Sequence, residues 1–75
     1  MPNLDVSLAN CLRNGAIILD RYEVESCPRW IVLAVWKHEY VTWCVDKDGN
    51  SYWGHYHKSI DKASADYSAR VARGY

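Results

Sequence analysis

Apolar positions come at two different spacings along this chain. Leu4, Leu8, Cys11, Leu12, Gly15, Ile18, Leu19 and Tyr22 fall on one stripe at steps of three and four. That is the spacing of an amphipathic helix. Asn3 suits its N-cap, and Asp5 falls in the first turn, where the helix dipole favours an acid. Gly15 after Asn14 could instead be a C-cap, leaving residues 16 to 24 as a separate helix or a strand. The stripe stays in phase through the glycine, so the expectation is one helix, bent there. Glu23 to Pro28 reads as a connector, because the residue before a proline avoids helix.

From residue 29 to 57 the spacing changes to two, and three strands are expected. Trp30 to Trp36 is rich in β-branched and aromatic residues. Ile31, Leu33 and Val35 alternate with Trp30, Val32, Ala34 and Trp36. After the turn Lys37-His38-Glu39, Val41, Trp43 and Val45 alternate with Tyr40, Thr42 and Cys44. A loop with an odd number of residues would put Val41, Trp43 and Val45 on the face of Ile31, Leu33 and Val35. Asp48-Gly49 between two alternating runs signals a second hairpin. A two-residue turn there sets Val45 against Tyr52, Trp43 against Gly54 and Val41 against Tyr56. A three-residue turn with a bulge would pair Trp43 with Trp53 and turn His55 and His57 inward. The first register is preferred because it leaves both histidines in water.

Helical spacing returns at Ile60, Ala63, Ser64, Tyr67 and Val71, after Ser59 as N-cap. Arg70 and Arg73 occupy the last turn and Gly74 ends it. The expected fold is therefore a single α+β domain spanning 1–75. It has an N-terminal helix, a three-stranded antiparallel meander and a C-terminal helix, with both helices on one sheet face. That face carries Ile31, Leu33, Val35, Val41, Trp43, Val45, Tyr52 and Tyr56. The opposite face, with Trp30, Trp36, Tyr40, Thr42, Cys44, Trp53, His55 and His57, would have nothing to cover it.

Composition bears on what such a face does. With 75 residues the chain is too short for a barrel or a doubly wound nucleotide-binding fold. Its aromatic residues are four Trp and six Tyr with no Phe, which keeps indole N–H and hydroxyl groups near polar edges. Trp and Tyr also dominate interface hot spots. Nine basic and nine acidic residues balance, and neither half is a charged tail. The seven-residue apolar run Trp30 to Trp36 is far short of a membrane span. The start Met-Pro-Asn-Leu-Asp lacks the basic and apolar regions of an export signal, so a cytoplasmic protein is expected. Cys11, Cys27 and Cys44 are odd in number and include no C-x-x-C pair, which argues against a disulfide framework.

Four chemistries compete for the aromatic face. His55 and His57 leave one strand on the same side, about 7 Å apart. A third zinc ligand would have to be Cys44 or His38, neither in a recognisable motif, so no metal or other cofactor is expected. Nucleophilic catalysis would need Cys44 or Ser51 beside a histidine and a carboxylate, in a pocket this chain is too thin to form, so no enzyme is expected. Base stacking by a nucleic-acid binder is the runner-up. Its aromatics are not interleaved with arginines, and Glu39, Asp46 and Asp61 stand beside Arg29, Lys37, Lys58 and Lys62. A protein interface accounts for more: neutral charge, excess Trp and Tyr, and a one-sided sheet. Its expected anchors are Trp30, Trp36, Tyr40, Trp53, His55 and His57. A homodimer through the same surface is a variant of that reading.

The block from Tyr40 to Tyr56, followed by the helix from Ser59, resembles short reading frames of phages, prophages and plasmids. Proteins of this size and style include anti-CRISPR proteins, which bind host defence complexes and block them without catalysis. The resemblance covers about half the chain and carries no catalytic signature. It implies an inhibitor of a host defence complex, and no functional residue is carried over from it.

Overall fold

The structure, a computed structural model, describes residues 6 to 75. Four strands form one antiparallel sheet in chain order: β1 (Ile17–Val24), β2 (Arg29–Trp36), β3 (Glu39–Asp46) and β4 (Ser51–His57). One helix follows, α1 (Ile60–Arg73). The sheet is thus four-stranded, not a three-stranded meander, and no N-terminal helix precedes it among the described residues. The N-cap expected at Asn3, with Leu4 and Asp5, lies outside those residues.

The helical stripe fails at Gly15, whose φ of 92° is left-handed. Asn14 Oδ1 accepts from Ala16 N, and Leu12 N donates to Ala16 O, which closes a tight loop and sends the chain into β1. Within β1 the register to β2 shifts between Ile18 and Asp20, making Leu19 the extra residue of a bulge. The bulge puts two apolar residues side by side and moves the alternation by one. In the sequence that mimics steps of three and four.

The β2–β3 connection overturns the expected sheet faces. Trp36 pairs with Glu39, so the loop holds only Lys37 and His38, with φ of 50° and 68°. Two left-handed residues in a two-residue loop are the turn whose twist matches the strands. An even loop places Ile31, Leu33 and Val35 opposite Cys44, Thr42 and Tyr40. Val41, Trp43 and Val45 therefore share the other face with Trp30, Val32, Ala34 and Trp36.

Both faces are covered. Helix α1 lies on the first, where Tyr67 and Val71 pack against Val24, Ile31 and Cys44. Ser59 Oγ caps it by accepting from Lys62 N, and Gly74 ends it in a left-handed conformation, as the sequence predicts. The second face is closed by residues 6 to 16, which run across it as an irregular strap. Val6, Leu12 and Ala16 join Ile18, Val32, Ala34, Val41, Trp43 and Val45 in one core cluster. Arg21 ties the strap down by donating to the carbonyls of Val6 and Ala9, the latter at 2.7 Å. The uncovered aromatic face expected from the sequence is therefore absent: Trp30 and Trp36 are half-buried against the strap-side core.

Candidate functional site

The β3–β4 hairpin combines both registers considered above. Val45 pairs with Ser51, which makes Lys47-Asp48-Gly49 a three-residue loop with Gly49 left-handed at φ 87°. Asp46 organises it: its carboxylate accepts from Asp48 N and Asn50 N, both at 2.9 Å, and from Asn50 Nδ2. The Asn50 N–H above all, with the Asn50 side chain and the Asp48 and Gly49 N–H groups, holds this carboxyl below the usual range against a small burial effect. Further along, the register shifts between Thr42 and Cys44, and Thr42 pairs with His55 while Val41 pairs with Tyr56. The extra residue is accommodated at Trp53 and Gly54, opposite Trp43.

Trp53 takes the strain of that bulge. Its φ is 54°, the left-handed region that glycine normally fills. Gly54 beside it is required by space: a Cβ there would lie 2.6 Å from Trp43 Nε1. The bulge swings the Trp53 indole onto Tyr52, edge to face with centroids 4.9 Å apart. Arg29, at the start of β2, lays its guanidinium over the same ring at 5.6 Å. Even so, Trp53 keeps 59% of its surface in water. These three side chains form a corner at the end of the sheet where the two outer hairpin turns meet. Tyr52 joins the corner to the helix side, since it packs with Tyr67 and Val71 against Val24, Ile31 and Cys44.

A polar seam joins β3 and β4 to the helix. The Asp66 carboxylate accepts from Thr42 Oγ1 at 2.6 Å. Its Oδ2 also lies 3.0 Å from His55 Nδ1 and 3.3 Å from His57 Nε2. An ionised carboxylate only accepts, so those two ring nitrogens are the protonated ones. Burial alone would raise the Asp66 pKa. The bonds from Thr42, His55 and His57 outweigh it and hold the carboxyl below its ordinary value. One turn on, Arg70 is 1% exposed and donates to Thr42 O, Thr42 Oγ1 and Cys44 Sγ. Its Nε is buried without a partner. This seam ties α1 to the sheet.

The six anchors expected from the sequence are not brought together. Trp30 and Trp36 lie on the strap side, where Trp36 packs edge-on against Trp43 and donates Nε1 to Asn14 O. Tyr40, His55 and His57 lie on the helix side, and the two histidines belong to the seam. Trp53 stands at a corner as the most exposed of these three tryptophans. Arg29 was expected near the aromatic face, but Tyr52 was placed on the opposite one; the bulge brings both to Trp53. Among the described residues no group of three or more His, Cys, Asp or Glu side chains is placed to hold a metal ion. No helix among them is long and apolar enough to cross a membrane. A scan against protein-family models, a search of curated proteins and a search of solved structures each found no match to this chain.

Proposed function

We propose that this chain is a non-catalytic protein-binding module whose anchor is Trp53. One observation carries the reading. A large indole sits in a backbone conformation that costs a non-glycine residue about 1–2 kcal/mol, yet most of its surface stays in water. Core packing does not account for such a residue. Covering the exposed part of the ring with a partner would recover about 1.5–3 kcal/mol, and Trp is the commonest kind of interface anchor. The resemblance of residues 40 to 56 and the helix from Ser59 to short reading frames of phages and plasmids, whose proteins of this size and style include anti-CRISPR proteins, suggests the partner class: a defence complex in the host cytoplasm, inhibited by occlusion of its surface.

Site-specific photo-crosslinking tests this. Benzoylphenylalanine in place of Trp53, in protein expressed in a bacterial host, should give a discrete, protease-sensitive adduct with a host protein. The same probe in place of Ala69, exposed on the helix, should not. Equal adducts from both positions, or none, would overturn the proposal. Nuclease-sensitive adducts would replace it with nucleic-acid binding by aromatic stacking, and adducts of two copies of this chain would replace it with self-association.

A further inference from the structure

We infer that the Trp53 corner recognises a carboxylate-bearing segment of a protein, in which an acidic side chain reaches Arg29 while an adjacent apolar side chain covers the indole. This rests on the protein-binding reading and names the chemistry of its partner. The argument begins with Arg29. Its cross-strand neighbour is Asp46, directly opposite in the β2–β3 register. In an ordinary sheet that pair would form an ion pair. Here the Asp46 carboxylate is turned into its own hairpin loop, where three N–H donors occupy it. Among the described residues, the ion pairs are His55–Asp66, His57–Asp66 and Lys58–Glu39, and none involves Arg29.

The guanidinium is left over the Trp53 ring, its Cζ 5.6 Å from the centroid. The Cys27 side chain takes up one of its N–H donors, and the others remain open to a ligand. An arginine held beside an aromatic ring has less rotamer freedom to lose when it binds a carboxylate. A charged edge and an exposed indole thus lie side by side. A ligand that satisfies both carries an anionic group next to an apolar one. Two features favour an acidic protein segment over a nucleic acid. Among the described residues Arg29 is the cation placed over the ring, and Asp46 and Asp48 lie in the turn beside it. A polyphosphate chain would gain a single cationic contact there and meet two carboxylates.

The test is an NMR titration of the intact chain, following the indole N–H of Trp53, with the signal assigned from a Trp53→Tyr variant. The probes are three: acetyl-Leu-Glu-Leu-Glu-amide, its Gln analogue acetyl-Leu-Gln-Leu-Gln-amide, and an oligo-dT strand. The acidic peptide should shift the Trp53 signal at millimolar concentration and bind about two- to fivefold tighter than the Gln analogue. Arg29→Gln should erase that preference, and so should high salt, while the other indole signals stay in place to show that the fold is intact. Equal binding of the two peptides, or no shift with either, overturns the inference, as does tighter binding of oligo-dT. If the position-53 crosslink forms while the peptides show no preference, the carboxylate chemistry is wrong and the protein-binding reading stands. If neither is seen, both fall.

Discussion

Replacing Trp53 by glycine and by alanine separates the backbone argument from every other role of the ring. The parent side chain has about two-fifths of its surface covered. For a ring of roughly 250 Å² that is on the order of 100 Å², or about 2.5 kcal/mol of burial, which either substitution loses almost in full. The two variants therefore differ mainly in backbone. In an ordinary strand, alanine is better than glycine by about 0.5–1 kcal/mol, because glycine gives up more freedom on folding. At the left-handed φ of Trp53, alanine carries a Cβ clash worth about 1–2 kcal/mol that glycine lacks. The difference favours Trp53→Gly over Trp53→Ala by about 0.5–1 kcal/mol. In a domain of this size that separates their melting temperatures by roughly 2–8 °C. Urea unfolding followed by circular dichroism gives the free energies and calorimetry the midpoints. Trp53→Ala matching or exceeding Trp53→Gly in both would show that residue 53 is ordinary strand, and the case for a strained, displayed indole would fall with it.

Replacing Lys37-His38 by Asn-Gly should raise stability by about 0.5–1 kcal/mol, because both residues are left-handed and the loss of Lys37 from the Trp36 ring offsets only part of the relief. A lower midpoint in thermal melts would contradict the two-residue loop. Gly54→Ala should destabilise by about 1–3 kcal/mol, since Trp43 is buried and cannot yield to the new Cβ; a neutral effect in the same melts would place the bulge elsewhere. For Asp66 the folded pKa is depressed, so its stabilising effect is present above the unfolded value near pH 4 and is lost as pH falls through the folded one. Stability of the parent should drop across that acidic window, and Asp66→Asn should flatten the profile there; parallel profiles would remove Asp66 from the seam.

The parts of this fold that were legible in the sequence are those whose signals are local. Helix α1 is announced by Ser59, Gly74 and an apolar stripe, and those same residues cap it in space. The extents of β2, β3 and β4 follow from alternation and the Asp-Gly turn. The sheet faces did not follow, because Lys37-His38 has no glycine to reveal a two-residue loop, and one residue of loop length exchanges every inward side chain for an outward one. The first strand was hidden by the Leu19 bulge, which counterfeits helical spacing. At the candidate site Trp53 was singled out, but for an open sheet face that does not exist. Its exposure comes from a bulge that no local signal marks. Asp66 and Arg70 were passed over because an apolar stripe leaves out polar residues. Their spacing of four, flanking Tyr67 and Val71, was the available clue to a second, polar edge on the buried side of the helix.

The strap over Trp43 gives the two layers of this domain unequal protection. A capped helix held by Asp66 and Arg70 releases as a unit, whereas residues 6 to 16 are held by the buried Val6, Leu12 and Ala16, by two bonds from Arg21 and by single bonds from Ile18 N and Trp36 Nε1. Lifting the strap leaves the four-stranded ladder intact, so it is a local opening, cheaper than unfolding the whole domain. Amide exchange should proceed in tiers. The strap contacts Leu12 N and Ile18 N would exchange first and the β2–β3 ladder last, with Arg21→Met accelerating the first tier and leaving the last unchanged. In the opened form Val32, Val41 and Trp43 meet water together as a continuous apolar stripe. The molecule thus keeps a continuous apolar surface behind its weakest door; temperature sets how often that door opens, and chain concentration sets how often an opened copy meets another.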